Sequence, residues 1–202
     1  MVYKKVKAAL IVAGLAFCAT GAVSASQGMT GASGAMLSHT CAGCHGTDGA
    51  SVGPASPTIA GLSRDYFIEV MLGFASGDVP STIMDRIALG YSEEEIEAMA
   101  DFFVKKPFVP AKQEFDQSLV DLGASLHDRH CERCHADGGT FADDDAGVLA
   151  GQWSPYLRWT LADYRAEYRE GPARMHREMR EMLEREGEKS LEALISYYAS
   201  QQ

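Results

Sequence analysis

Two copies of one short motif constrain this chain more than any other feature. Cys41-Ala42-Gly43-Cys44-His45 and Cys131-Glu132-Arg133-Cys134-His135 both read Cys-x-x-Cys-His. This spacing is the attachment signature of c-type haem: two thiols add to the haem vinyl groups, and the next residue presents its imidazole to the iron. The motifs therefore predict two covalent haems, with the attachment points and the iron ligands Cys41, Cys44, Cys131, Cys134, His45 and His135.

The alternative for these cysteines is a zinc site shared by the two Cys-x-x-Cys pairs. Zinc-binding pairs usually lie within about 15 to 20 residues of each other, whereas Cys44 and Cys131 are separated by 86 residues. Zinc also gives no reason for a histidine to follow the second cysteine both times. Haem is the favoured interpretation.

The length of 202 residues suits one large domain or two small ones. A segment of about 80 to 90 residues has a marginal core by itself. A buried haem would supply each half with an apolar centre, so we expect two small domains.

The N-terminus has the features of a secretory signal peptide. Three lysines precede an apolar run from Ala8 to Phe17, and Val23-Ser24-Ala25 ends the segment in small residues. We expect cleavage before Ser26, which also removes Cys18; Phe17 is too bulky for the alternative of a lipoprotein signal at Cys18. The apolar run is too short to span a bilayer, so no transmembrane anchor is expected in the mature chain.

The chain is acidic, with a net charge of −10 that becomes −13 when the three lysines of the leader are removed. Such a charge argues against binding to nucleic acid or to anionic lipid. The negative charge is consistent either with a solvated acidic surface or with electrostatic steering of the protein towards a basic redox partner.

The two halves of the chain resemble each other when one is shifted by 90 residues. The shift superimposes the two motifs, Ala60-Gly61 on Ala150-Gly151, and Tyr66 on Tyr156. The apolar set Phe67, Met71 and Phe74 then falls on Leu157, Leu161 and Tyr164, a spacing that fits one helix face. The halves look like duplicates.

In the first half we expect helices from about Ala35 into the motif and from Ser63 to Phe74. Ser92-Glu93-Glu94-Glu95 predicts a capping box, followed by a helix with an apolar face formed by Ile96, Met99, Ala100 and Phe103. Pro107 and Pro110 break that helix.

In the second half we expect a helix from Asp116 to Arg129, then one opened by Ser154 as N-cap with Pro155 at the first helical position. Leu191, Leu194, Ile195 and Tyr198 predict a final helix. No strand-like alternation appears. The fold is expected to be all-α, two tandem cytochrome c-type haem domains related by duplication, with a signal peptide at 1–25, domains at 26–106 and 116–202, and a linker at 107–115.

The sixth iron ligand decides what such a site does: a His/Met pair suits electron transfer, and an open position suits ligand binding or peroxide chemistry. In the first half Met84 follows turn residues, while Met71 and Met99 fall on apolar helix faces and are interpreted as core. The second half offers Met175, Met179 and Met182. Met175 is favoured by its register with Met84, and His176 is a rival that would lower the potential.

The proximal imidazole usually donates its second N–H to a carbonyl. We expect the Gly53-Pro54 turn to supply this carbonyl in the first half. The equivalent residue is Asp144, so the second half is expected to use another source, and the two haems should differ in potential. The other histidines, His39, His127 and His130, are interpreted as surface or locally hydrogen-bonded residues.

With both motifs placed, the chain resembles the di-haem cytochrome subunits of flavocytochrome c sulfide dehydrogenases. The similarity extends from about Met36 to Gln202. The segments that carry it are Cys41–Thr47, Ser51–Pro57, Ser81–Met84, Gly90–Ser92, Pro110–Gln113, Leu149–Trp153 and Tyr198–Gln202. The chain departs from the family pattern in the acidic loop 143–146 and at Gly171-Pro172-Ala173, near Met175.

The resemblance implies a partner and a location. The partner would be a larger flavoprotein subunit that carries FAD and a redox-active disulfide and oxidises sulfide, forming a heterodimer with this chain in the periplasm. This chain would have no catalytic site of its own; it would accept electrons from the flavin and pass them to a small soluble cytochrome c. His45, Met84, His135 and Met175 match the ligand positions of the family.

Two other functions fit the same motifs. A free-standing periplasmic di-haem cytochrome c electron carrier would have the same two-unit layout. A di-haem peroxidase would need a displaceable sixth ligand, which the two methionine candidates and the short chain argue against.

Overall fold

A computed structural model describes residues 31–202 of the chain. Within that range the secondary structure is helical and contains no strand, which confirms the all-α prediction. The leader predicted at 1–25, with Cys18, lies outside the described residues. No helix in the described range is long and apolar enough to cross a membrane.

Within residues 31–106, the first unit consists of five α-helices and a short 3₁₀ turn. Serine side chains begin three of these helices: Ser33 accepts from the Met36 amide, Ser63 from the Tyr66 amide, and Ser92 forms the predicted capping box with Glu95. The helices are α1 (Gly34–His39), α2 (Ala42–His45), α3 (Arg64–Ser76), α4 (Met84–Ala88) and α5 (Glu93–Phe103), and the 3₁₀ turn covers Thr47–Gly49.

The core of the first unit lies where α1 and α3 pack on α5. Its buried side chains include the predicted apolar face of α5, and Met71 and Met99 are buried with them. Both methionines therefore pack in the core, as their helical positions predicted.

The second unit is also built from five α-helices and a 3₁₀ turn, but here the 3₁₀ turn comes first. They are a 3₁₀ turn (Gln117–Leu119), α6 (Val120–His130), α7 (Ala136–Gly139), α8 (Ser154–Arg165), α9 (Ala173–Glu186) and α10 (Lys189–Ser200). The largest difference is in α9, which has 14 residues where α4 has five.

Two predicted helix starts in this unit were wrong in detail. Asp116 caps the 3₁₀ turn, and α6 begins only at Val120. Trp153, not Ser154, is the N-cap of α8, and the Ser154 hydroxyl is buried without a hydrogen bond. Ser154 is already the first residue of α8, one position past the N-cap, and its amide donates to the Gln113 side-chain oxygen at 2.8 Å.

The single 90-residue shift does not hold throughout the fold. Gly61 donates its amide to the carbonyl of Phe103, and Gly151 donates to that of Tyr198, so Phe103 and Tyr198 are equivalent at an offset of 95. In the entry helices, the Cys41 amide bonds to Ser38 and the Cys131 amide to His127, an offset of 89. Compared with the 90-residue shift, the offset between equivalent residues is therefore one residue smaller before the motif and five residues larger near the final helix.

The two units are joined by buried contacts. The side-chain amide of Gln152 accepts from the Thr58 amide and donates to the Thr58 carbonyl, both at 2.9 Å. Trp153 donates its indole N–H to the Ser51 carbonyl at 3.3 Å, and its ring lies against Gly53, where φ is +87° and a side chain would collide with the ring. Residues of the predicted linker also bind the second unit, since the Ala111 amide donates to the Gly151 carbonyl at 2.7 Å.

Candidate functional site

Both Cys-x-x-Cys-His motifs fold into the same local turn. In the first, the amides of Cys44 and His45 donate to the Cys41 carbonyl, and in the second the amides of Cys134 and His135 donate to the Cys131 carbonyl. All four thiols are free; Cys44 and Cys134 are exposed, and Cys41 and Cys131 are half-buried. Each turn brings two thiols and one imidazole together, as the haem interpretation requires.

The two imidazoles are held by equivalent carbonyls. His45 Nδ1 lies 2.8 Å from the Pro57 oxygen, and His135 Nδ1 lies 3.3 Å from the Gly147 oxygen. The expected Gly53-Pro54 carbonyl was the wrong source, because the chain extends past that turn before it returns to His45. The expectation that the second unit needs a different kind of source was also wrong, since residues 57 and 147 are related by the 90-residue shift.

Burial lowers the pKa of both His45 and His135 below the ordinary histidine value, and the carbonyl hydrogen bonds oppose this only in part. Both rings are therefore neutral near pH 7. With Nδ1–H committed to a carbonyl, Nε2 of each ring keeps a free lone pair, which is the form that a metal ligand needs.

An apolar cavity opens beside the second motif. Met175, Met179 and Met182 all line it, together with the motif and side chains of α8 and α10. His176 is not among the lining residues; its ring packs edge-on against Tyr164, with centroids 6.2 Å apart. The structure thus places three methionines, and not the rival histidine, on the face of α9 that borders the cavity.

In the first unit, Met84 is the first residue of α4 and packs, half-buried, against the core. Met175 is the third residue of α9. The two methionines favoured by sequence register therefore lie in the first turn of equivalent helices.

A tyrosine cluster borders the second cavity and was not predicted as part of a site. Tyr66 of the first unit lines the cavity together with Tyr156 and Tyr164 of the second. Arg169 is 8% exposed, its guanidinium carbon lies 5.3 Å from the Tyr164 ring centre, and no carboxylate within residues 31–202 forms an ion pair with it. Burial raises the pKa of Tyr66, so its hydroxyl stays a donor.

In the structure, His127, Glu132 and Tyr198 lie close together beside Cys131. His127 is 0% exposed, so the expectation of a surface histidine was wrong, although the alternative of local hydrogen bonding was right. Its Nε2 lies 2.7 Å from Glu132 Oε2 and its Nδ1 lies 3.0 Å from the Tyr198 hydroxyl. The sequence feature that could have indicated this cluster is Tyr198, because the equivalent residue of the first unit, Phe103, has no hydroxyl group.

The other two histidines have the local roles expected of them. His39 is exposed and packs edge-on against Phe102. His130 Nδ1 lies 3.3 Å from Glu178 Oε2.

The residues present fit covalently bound haem c. Each motif offers two unpaired thiols and a neutral, oriented imidazole, and the cavity of the second unit is apolar with thioether side chains on one wall. Arg169, which has no ion pair within residues 31–202 but hydrogen bonds to Tyr156 and Tyr164, gives the same region a polar edge suited to the two carboxylates of haem. By contrast, residues 31–202 contain no group of three or more His, Cys, Asp or Glu side chains that could hold a metal ion, so the Cys-x-x-Cys pairs do not meet as a zinc site.

Comparison with known proteins gives similar proteins but no matching family model. Over 96 residues the chain is 42% identical to the cytochrome subunit of sulfide dehydrogenase of Chlorobaculum tepidum, an alignment that covers 46% of this chain and 86% of that protein. It is 27% identical over 144 residues to cytochrome c4 of Azotobacter vinelandii, covering 62% of this chain and 67% of that one. Reduced recombinant cytochrome c4 from Pseudomonas stutzeri has the same fold, with a TM-score of 0.69 and 26% identity over 84% of this chain and 97% of that chain.

Proposed function

This chain belongs to the family of c-type cytochromes that includes the cytochrome subunit of sulfide dehydrogenase, and from that membership we propose that it is the di-haem electron-transfer subunit of a sulfide-oxidising flavocytochrome c. It accepts electrons from an FAD-containing flavoprotein partner and passes them to a small soluble cytochrome c. The observation that carries the proposal is the pair of motifs, each with its imidazole bonded to an equivalent carbonyl.

In this proposal Cys41 and Cys44 attach one haem, and Cys131 and Cys134 attach the other. The iron ligands are His45 with Met84, and His135 with Met175. Haem c bound in this way supplies reversible one-electron chemistry, with a potential raised by the sulfur ligand.

The protein's own residues orient the ligands and exclude water. The Pro57 and Gly147 carbonyls fix the tautomer and the plane of the imidazoles. Tyr66 of the first unit lines the second cavity, so the first unit forms part of the wall of that site.

Met175 is preferred over Met179 because of its position in α9. Both side chains line the cavity, so burial alone does not separate them. Met175 lies in the first turn, as Met84 does in α4, whereas Met179 lies one turn later.

The domain limits and the location complete the proposal. A leader at 1–25 directs the chain to the periplasm, domains at 26–106 and 116–202 carry one haem each, and residues 107–115 link them. The mature chain, with Cys18 removed, keeps only the four cysteines that attach haem.

A free-standing electron carrier is the second candidate. It is favoured by the similarity in fold to cytochrome c4, which spans both units of this chain.

Purification of the native protein from its source separates the two candidates. We expect a larger FAD-containing subunit to co-elute with this chain, and added sulfide to bleach the flavin while the haems become reduced. A chain that elutes alone, without flavin and inert to sulfide, would contradict the sulfide dehydrogenase assignment and favour the carrier. A Cys131→Ala/Cys134→Ala variant is the control for haem number, because it should halve the haem content per chain.

A further inference from the structure

The carbonyl that orients His45 belongs to a short irregular segment, residues 51–58, which we call the carbonyl loop. Near its end, the Pro57 oxygen lies 2.8 Å from His45 Nδ1. Inside the loop, the Ser51 hydroxyl donates to the Ser56 carbonyl at 2.7 Å and accepts from a loop amide at 3.0 Å. Neither of these internal hydrogen bonds includes Pro57, so the position of its carbonyl depends on what holds the rest of the loop.

Two consecutive residues of the second unit hold the two ends of the carbonyl loop. The Gln152 side chain bonds to both the amide and the carbonyl of Thr58, each at 2.9 Å. Trp153 donates its indole N–H to the Ser51 carbonyl at 3.3 Å. The ring of Trp153 also lies against Gly53 and leaves no room there for a side chain. The start, the middle and the end of the loop are therefore all in contact with the other unit.

The contact at Thr58 is closed to water. Thr58 is 1% exposed and Gln152 is 3% exposed. Gln152 is itself held in place, because its backbone carbonyl accepts from the Gln113 side chain at 2.8 Å and its side-chain oxygen also accepts from the Trp153 amide at 3.1 Å. Without Gln152, the buried amide and carbonyl next to Pro57 would have no replacement partner, and the backbone there would have to move to reach one.

The equivalent segment of the second unit, residues 141–148, is held differently. The first unit touches it through the ring and hydroxyl of Tyr66, which lie against Gly147. Within residues 31–202, no hydrogen bond joins this segment to the first unit. The Gly147 oxygen lies 3.3 Å from His135 Nδ1, which is longer than the 2.8 Å in the first unit. The shorter imidazole hydrogen bond thus occurs where the loop is hydrogen-bonded to the other unit.

We propose that Gln152 and Trp153 are positioning residues for the first haem, an inference that rests on the proposed ligation of its iron by His45. By holding the carbonyl loop at both ends, they keep the Pro57 oxygen close to the His45 ring. The strong hydrogen bond from Nδ1–H makes the imidazole a more basic ligand and favours ferric iron. The midpoint potential of the first haem is therefore lowered by two side chains of the second unit.

The main test is a redox titration of the two-haem protein carrying Gln152→Leu. We expect one midpoint to rise and the other to stay where it is. A histidine substituted at Met175 or Met179 identifies the midpoint of the second haem, and Gln152→Leu should move the other one. Gln117→Leu, at an exposed position, is the control and should move neither. Unchanged midpoints, or a shift of the second midpoint alone or of both equally, would overturn the proposal.

The two tryptophans of the chain provide a second, independent pair of variants. Trp153→Leu removes both contacts with the carbonyl loop and should raise the first midpoint, while Trp153→Phe keeps a ring over Gly53 and should raise it less. Trp159→Leu is the matched control, because Trp159 is 57% exposed on α8. Equal effects of Trp153→Leu and Trp159→Leu would contradict the proposal even if Gln152→Leu fails to fold.

Proton exchange measures the hydrogen bond itself. In NMR spectra of the reduced protein, the His45 Nδ1 proton should exchange with solvent roughly tenfold faster in Gln152→Leu, the effect expected from the loss of one ordinary hydrogen bond. The His135 proton should keep its rate, since a general loosening of the fold would accelerate both. The intact mass gives the number of haems: fewer than two in the unaltered chain would refute the proposed di-haem function. Two haems with an unchanged first midpoint and an unchanged His45 proton would refute only this inference.

Discussion

At the scale of single residues, the two imidazole hydrogen bonds differ in length although their acceptors are equivalent. His45 lies 2.8 Å from its carbonyl and His135 lies 3.3 Å from its own. A stronger hydrogen bond from Nδ1–H makes the imidazole a more basic ligand, which favours ferric iron. Unequal potentials are therefore still expected, with the lower one in the first unit, but for a different reason from the one that Asp144 suggested.

A histidine at position 175 tests the ligand assignment in the second unit. Met175→His should lower one of the two midpoint potentials, by on the order of 0.1 to 0.3 V within the roughly 0.8 V range that axial ligands span, because nitrogen favours ferric iron more than thioether sulfur does. The measurement is a redox titration of both haems.

Met179→His is the matched control for this experiment, since both methionines line the same cavity one turn apart on α9. It should leave both potentials close to those of the unaltered protein. A shift caused by Met179→His and not by Met175→His would assign the ligand to Met179.

At the scale of elements, the first and last helix of each unit cross at a glycine. A Cβ on Gly34 of α1 would overlap the Ala98 carbonyl of α5, and a Cβ on Gly123 of α6 would overlap the Ala193 carbonyl of α10. The close backbone approach at each crossing brings Phe103 and Tyr198 against the residues that precede the motifs. The crossings therefore determine which side chains surround the cysteines of the two motifs.

Gly123→Ala should destabilise the protein, because the added methyl group overlaps both the Ala193 carbonyl and the Tyr197 side chain. Overpacking of this kind typically lowers the free energy of unfolding by about 1 to 3 kcal/mol. Thermal or urea unfolding followed by circular dichroism measures the loss.

The control for this substitution is Gly43→Ala. Nothing lies within 4 Å of a Cβ at Gly43, and the equivalent position of the second motif holds Arg133. It should leave the stability nearly unchanged. Equal effects of the two substitutions would show that the helix crossing does not limit the space at Gly123.

At the scale of the whole molecule, the side chain of Gln152 in the second unit forms hydrogen bonds with a buried backbone amide and carbonyl of the first unit. Gln152 bonds to both the amide and the carbonyl of Thr58, which is 1% exposed and directly follows Pro57, the partner of His45. The contact between units therefore lies one residue from the carbonyl that orients His45, the proposed iron ligand of the first unit. This arrangement links the geometry of the first site to the docking of the second unit.

Gln152→Leu should destabilise the two-unit structure, since it leaves the Thr58 amide and carbonyl buried without partners. An unsatisfied buried group of this kind typically costs about 1 to 3 kcal/mol. Urea unfolding followed at the absorbance bands of both haems should show a lower midpoint. Gln117→Leu, at an exposed position of the 3₁₀ turn, is the control, and an equal effect of both changes would argue against a role for the Thr58 contact.

The sequence by itself determined the features that depend on neighbouring residues. The motifs, the capping box at Ser92 and the apolar faces of α3, α5 and α10 could be predicted because thiol spacing, cap chemistry and helical periodicity act over a few residues. The duplicated layout could be predicted because the same local patterns occur in both halves of the sequence.

Only the tertiary structure decided which distant groups complete each site. The Pro57 and Gly147 carbonyls reach the imidazoles from 12 residues away, Tyr66 enters the cavity of the other unit, and Tyr198 reaches His127 across 71 residues. Such contacts depend on how the helices cross and on small changes of offset between the two repeats. The hydrophobic periodicity of a helix carries no information about which carbonyl or hydroxyl of a distant segment will lie against it. For that reason the sequence located the two Cys-x-x-Cys-His motifs, and the fold determined their surroundings.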